Sequence, residues 1–153
     1  MADRFLVRPV ARRDYSQWRP LWDGYNAFYG RSGPTALAEA VTQSTWERFF
    51  DPAEPVHALL AEDAGRLVGL AHYVLHRATN RVHEVCYLQD LYTAEPLRRL
   101  GIGRLLIEAV CEAARCATCT RVYWHTQAGN VPGRALYDKL AEHRGFIVYA
   151  REL

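Results

Sequence analysis

The stretch that most constrains this chain is Leu91-Tyr92-Thr93-Ala94-Glu95-Pro96-Leu97-Arg98-Arg99-Leu100-Gly101-Ile102-Gly103-Arg104-Leu105-Leu106. A β-type run enters it, a polar turn crosses it and an apolar helix leaves it. Arg98-x-x-Gly101-x-Gly103 sits where turn becomes helix. Glycine there opens backbone angles closed to other residues and lets another group approach the main chain. The first helical turn also leaves N–H groups without intrahelical partners, at the positive end of the helix dipole. Together these make a seat for a phosphate-bearing ligand. The glycines do not name that ligand. A dinucleotide fingerprint would have a third glycine where Leu106 stands, and a phosphate loop would end in Gly-Lys-Ser/Thr. A tight strand-to-helix turn uses the same glycines.

The chain around this turn has 153 residues, enough for one domain spanning 1–153 with a sizeable core. Half of the residues are apolar and 24% are charged, as in soluble globular proteins. A net charge of +2 is too weak for the basic footprint of a nucleic-acid binder. Charges and a proline interrupt every apolar run in Met1–Pro9, so neither a signal peptide nor a membrane span is read there. A cytoplasmic location with reduced cysteines is the expectation.

Phe5–Val10 reads as a first strand, placed near an edge by Pro9. Asp14 and Gln17 have the spacing of a capping box, and Trp18, Trp22, Tyr25 and Tyr29 follow at helical spacing. Thr35 is expected to cap a second helix running to about Phe50. His57–Glu62, the turn Asp63-Ala64-Gly65 and Arg66–Leu75 read as a hairpin, with Val82–Tyr92 as a third strand. A helix from Leu100 to about Ala117 and a strand over Arg121–Thr126 imply a parallel pair with a right-handed crossover. A helix over Pro132–Glu142 and a strand over Phe146–Arg151 close the order β-α-α-β-β-β-α-β-α-β. That order predicts an α/β (α+β) fold, a mixed sheet with helices on both faces.

With its flanks included, the glycine turn resembles the acetyl-CoA motif of Gcn5-related N-acetyltransferases, the GNAT family. Asp90-Leu91-Tyr92-Thr93 precedes it, and Asn130, Leu136-Tyr137 and Gly145-Phe146 resemble that family's downstream signature. Val122-Tyr123-Trp124 and Tyr137-Asp138-Lys139 are similar to the yeast histone-and-polyamine branch, and Tyr87-Leu88-Gln89-Asp90 to spermidine/spermine acetyltransferases. Two departures stand out: Gly133 at the small-residue position after Asn130, and a longer segment, Asp138–Arg144, before Gly145.

The resemblance implies a mostly antiparallel sheet with a splayed parallel pair, acetyl-CoA as co-substrate and no metal. Backbone N–H groups from Arg99 through Gly101, Ile102 and Gly103 to Arg104 would hold the pyrophosphate, with Arg98, Arg99 and Arg104 adding charge. The pantetheine arm would pair as an extra strand along Leu91 and Thr93, and an N–H of Leu91 or Thr93 would also face the thioester oxygen. Asn130 would bond the arm, or simply cap a helix. Tyr137 would protonate the departing thiolate, an alternative to its being a core tyrosine.

The base stays open. Gln89 stands where spermidine/spermine enzymes carry an acid, and a glutamine cannot take a proton. Glu84 and Asp90 are substitutes, with His83, His125 and a water chain behind them. Tyr25 and Tyr29 are candidate liners of the acceptor site beside Gln89, while the tryptophans read as core.

Direct transfer to a primary amine follows, with a small amine, polyamine or amino acid preferred over a protein amine. An acyl-CoA-binding sensor without turnover is the rival reading. Family members often pair, and open sheet edges permit a homodimer. Cys111, Cys116 and Cys119 have the C-x4-C-x2-C spacing of plant-type iron–sulfur proteins, but the fourth cysteine, Cys86, lies upstream rather than downstream. Small hydrophobes are the expectation for them.

Overall fold

The computed structural model describes residues 4–153, so the charged start Met1–Asp3 lies outside the described residues. Strand β1 (Phe5–Pro9) leads into helices α1 (Tyr15–Phe28) and α2 (Glu39–Arg48). Strands β2 (Val56–Asp63), β3 (Arg66–His76) and β4 (Val85–Thr93) follow as a meander. Helix α3 (Ile102–Cys116), the short β5 (Val122–Tyr123) and helix α4 (Val131–Leu140) complete the regular elements. The sheet order is β1-β2-β3-β4-β5; the first four strands are antiparallel and β5 runs parallel to β4. This is the expected mixed, mostly antiparallel sheet with one parallel pair.

Period-2 alternation in the strands supplies apolar side chains to both faces of this sheet, and a helical layer covers each. Leu59 and Ala61 of β2 pack under Ile102, Leu106, Ile107 and Val110 of α3. Leu60, between them in sequence, points the other way and joins Trp18, Leu21, Trp22 and Tyr25 of α1 with Trp46 of α2. Leu60, Leu70 and Leu106 are fully buried, which stabilises the fold by roughly 2 kcal/mol each. Pro20 lies inside α1, and the helix runs on past it to Phe28.

Four local expectations are corrected. Gln17 does not close a capping box: its amide N–H donates to the Gly65 carbonyl and its oxygen accepts the Leu67 N–H, tying α1 to the β2–β3 turn. Asp14 instead accepts the Ala11 N–H and pairs bidentately with Arg8. Thr35 caps a short 3-10 turn at Gly33–Thr35, and α2 starts later, at Glu39. The last strand is absent: Phe146, Ile147, Val148 and Tyr149 are 66–88% exposed, and no backbone hydrogen bond among the described residues reaches 142–153. A strand needs a ladder partner. The strand expected over Arg121–Thr126 is likewise cut to two residues, because β5 meets β4 only at Cys86 and Tyr87.

Candidate active site

The site grows from an irregularity in β4. His72 faces Asp90 and Tyr73 faces Leu88, so Gln89 is an extra residue that the ladder skips. Such a bulge bends its strand and re-aims the side chains on either side. Beyond Tyr87, the edge of β4 away from β3 has no strand beside it among the described residues. Leu91 and Thr93, both on this open stretch, can therefore accept an amide-rich chain as an added strand. A small gap of about 20 Å³ lies in the splay, walled by Leu88, Leu91, Trp124 and Tyr137 with Tyr25 and Tyr29.

At the far end of β4, Glu95–Leu97 forms a 3-10 turn, and Arg99 (φ 66°) and Gly101 (φ 86°) take left-handed conformations before α3 begins. Nothing crowds Gly101, so its requirement is conformational: another residue at that φ would carry roughly 1 kcal/mol of strain. Ile102 is 1% exposed and pins the helix start to the core, leaving the N–H groups of the first turn directed outward. Arg98 and Arg99 are exposed beside this turn. The Arg98 Nε donates to the Thr93 carbonyl at 3.2 Å, and its guanidinium lies over the rings of Phe28 and Tyr92. Arg104 pairs with Glu108 one helical turn on.

Asn130 is the N-cap of α4. Its Oδ1 accepts the Gly133 N–H at 3.3 Å and its Nδ2 donates to the Thr126 hydroxyl at 3.0 Å. A Cβ on residue 133 would meet that amide, and the Asn130 side chain would have to shift. Two turns along α4, Tyr137 sets its ring edge-on to Trp124, centroids 5.6 Å apart. Burial, and secondarily the neighbouring Tyr29, raises its phenol above the usual tyrosine range. The hydroxyl is therefore kept protonated, as a proton donor must be.

On the α1 face an open cleft of about 950 Å³ adjoins the gap. Tyr25, Tyr29, Gln89 and His125 line both spaces, and Arg31, Arg48, His72, Asp90 and Glu152 line the cleft. Burial and then the Asp90 carboxylate raise the Tyr25 phenol, whose hydroxyl is 3.5 Å from the Gln89 carbonyl. The Arg31 guanidinium lies over Tyr25 and Tyr29 and donates through Nε to Asn26 at 2.7 Å. It makes no ion pair among the described residues. His125 stands 3.2 Å from the Tyr87 hydroxyl. Glu84 sits elsewhere: it precedes β4, accepts the Thr120 N–H at its carbonyl, and lines neither space.

The cysteines stay apart from this chemistry. Burial pushes the Cys86 thiol up to about 12 and raises Cys111 and Cys119, which disfavours thiolates. Sequence reasoning passed over His72 and Arg31. For His72 a signal existed, a titratable residue two positions from Leu70 on the same apolar strand face. Arg31, inside a Gly/Ser/Pro breaker cluster, gave none.

The acetyltransferase (GNAT) family matches residues 18–141. The D-amino-acid N-acetyltransferase HPA3 of Saccharomyces cerevisiae is 35% identical over 151 residues, covering 97% of this chain and 91% of that protein. The uncharacterized N-acetyltransferase YhfO of Bacillus subtilis is 25% identical, with 94% of each chain covered. Among solved structures, the aminoglycoside acetyltransferase AAC(6')-Iy in complex with a bisubstrate analogue superposes with a TM-score of 0.81 at 17% identity, covering 97% and 98%. Family match, relative and fold agree: the chain belongs to the acetyltransferase (GNAT) family and is an N-acetyltransferase.

Proposed function

We propose that this enzyme transfers the acetyl group of acetyl-CoA directly to the amine of an amino acid. The observation that carries the acceptor class is the cleft's charge arrangement. Asp90, 2.9 Å from His72, and Glu152 bring carboxylates to it, while Arg31 and Arg48 bring guanidinium groups, of which Arg48 is 4.0 Å from Glu54 and Arg31 has no ion pair among the described residues. A zwitterion satisfies both signs, its ammonium toward Asp90 and its carboxylate toward Arg31. A polyamine, positive along its length, offers no anionic group to the Arg31 guanidinium. The 35% identity to a D-amino-acid N-acetyltransferase supports the same class.

The chain's residues fit the donor. The first turn of α3 with Arg98, Arg99 and Arg104 offers N–H groups and charge for a pyrophosphate, and Leu91 and Thr93 offer an open strand edge. Asn130, whose amide caps α4 and bonds Thr126, is the further group we assign to the cofactor arm. Acetyl-CoA supplies an activated thioester. Asp90, rather than Glu84, takes the ammonium proton, because Asp90 lines the cleft and Glu84 does not. The freed nitrogen bonds to the acetyl carbon as the carbon–sulfur bond breaks. An N–H of Leu91 or Thr93 donates to the carbonyl oxygen as charge gathers on it. Tyr137 gives its phenolic proton to the departing sulfur; the second proton of the new amide nitrogen and the one held by Asp90 leave to solvent, and solvent reprotonates Tyr137. The cysteines take no part.

A homodimer is part of this reading. Phe146–Tyr149 is a β-prone apolar segment that is largely exposed, with Val148 at the rim of the cleft, and a second copy of the chain would cover it. No helix among the described residues is long and apolar enough to cross a membrane.

Thiol release from acetyl-CoA with L- and D-amino acids, spermidine, an aminoglycoside and a lysine peptide tests the function. Turnover on amino acids is expected. Preference for spermidine would overturn the acceptor class. Tight donor binding with no turnover on any amine would favour the sensor.

A further inference from the structure

His72 is a buried titratable residue to which the acyl transfer assigns no step. Its side chain is 3% exposed, on β3, directly across the ladder from Asp90. Both ring nitrogens are occupied. The Trp18 indole Nε1 lies 3.0 Å from His72 Nε2, and His72 Nδ1 lies 2.9 Å from Asp90 Oδ2. An indole N–H can only donate. Nε2 must therefore accept and carry a lone pair, which places the ring proton on Nδ1, pointed at the carboxylate. A proton on both nitrogens would set N–H against N–H, beside an indole that is fully buried. The rings of Phe49 and Trp22 flank the imidazole, with centroids 4.8 and 5.4 Å away, and hold it against flipping.

We propose that Trp18 and His72 are positioning residues for the acyl transfer, a brace in which the indole N–H selects the Nδ1–H tautomer that holds Asp90 oriented toward the amine. The inference rests on Asp90 as the proton acceptor. The brace is not a relay. Nδ1 already carries a proton, and the indole cannot take one, so the proton from the amine stays on Asp90 until solvent removes it. Without the indole N–H the ring can adopt the Nε2–H tautomer. That turns a lone pair toward the carboxylate and pushes Asp90 out of register.

The test reads the tautomer and the rate separately. A ¹⁵N–¹H imidazole correlation spectrum of the wild-type protein at neutral pH should show His72 protonated at Nδ1 and bare at Nε2. Trp18→Phe keeps the ring in the cluster and removes only the donor. In that variant the Nε2–H or doubly protonated form should appear, and kcat should fall roughly tenfold to hundredfold with the acetyl-CoA KM unchanged. Trp46→Phe is the packing control, since its ring lies 4.9 Å from Trp18 in the same cluster and outside the cleft; it should keep tautomer and kcat. His72→Asn, whose amide can still donate toward Asp90, should retain more activity than His72→Phe.

A wild-type Nε2–H tautomer overturns the brace even if Trp18→Phe fails to fold. So does a Trp18→Phe kcat equal to that of Trp46→Phe. If Asp90→Asn keeps the wild-type kcat, the proton-acceptor assignment falls, whatever the spectrum shows.

Discussion

The Tyr137 ring meets the Trp124 indole edge-on, centroids 5.6 Å apart and planes inclined by 69°. One residue comes from α4 and the other lies just past β5, so their contact fixes the phenol at the mouth of the β4–β5 splay. Tyr137 lines the gap together with Leu91 and Gln89. Tyr137→Phe keeps this packing and removes the proton. Its kcat should fall about a hundredfold, with little change in the acetyl-CoA KM. Because burial raises the phenol, the alkaline loss of wild-type kcat should lie above the ordinary tyrosine value of about 10. A pH–rate profile of wild type and variant checks both points.

Arg31 lines the cleft beside Tyr25 and Tyr29 with no ion pair among the described residues. Arg31→Gln keeps a donor for Asn26 and removes the cation. The amino-acid KM should rise about thirtyfold, matching the ~2 kcal/mol of a charge-assisted hydrogen bond. Activity on an uncharged-tail amine should change little. Steady-state kinetics on the two acceptor classes measures the difference.

Gly101 holds φ 86° at the entrance to α3 in open space. Gly101→Ala should destabilise the fold by about 1 kcal/mol through strain alone, read from urea unfolding. The acetyl-CoA KM should rise in the same variant, because the first-turn N–H groups shift with the backbone.

Arg8 holds the Asp14 carboxyl below the usual carboxylate range, with smaller help from the Ala11 N–H. The native pKa is depressed, so the pair's contribution is complete above the ordinary value near 3.9 and is lost as pH falls through the native pKa. The carboxylate side chain is 4% exposed and Arg8 20%. Asp14→Ala should cost roughly 3 kcal/mol at pH 7, the lower range for breaking a buried pair. Its stability should also fall less steeply with acid than the wild type's. Chemical denaturation from pH 3 to pH 7 gives both.

The segment Phe146–Tyr149 tests the assembly. Wild-type protein at micromolar concentration should sediment as a dimer, and Ile147→Asp, altering a side chain 74% exposed in the single chain, as a monomer. Sedimentation velocity distinguishes the two. A monomeric wild type would remove the homodimer from the proposal.

Local patterns settled much of this fold. The Trp18–Trp22–Tyr25 spacing, the alternation through Leu59–Leu60–Ala61 and the glycine turn before α3 depend on neighbours a few residues away, and each element formed where its pattern stood. The family followed from motifs of the same kind. Tertiary structure decided the rest. Gln17 left its capping box because the backbone groups of Gly65 and Leu67 came within reach, and Phe146–Arg151 formed no strand because no edge came to meet it. Glu84 lies outside the cleft because it precedes β4, whereas Asp90 comes to face His72 just past the bulge at Gln89. In a strand the facing of side chains alternates with period 2, and one unpaired residue reverses it. Whether that residue is skipped depends on how β4 pairs with β3, and the partner of Asp90 lies eighteen residues earlier in the chain, at His72.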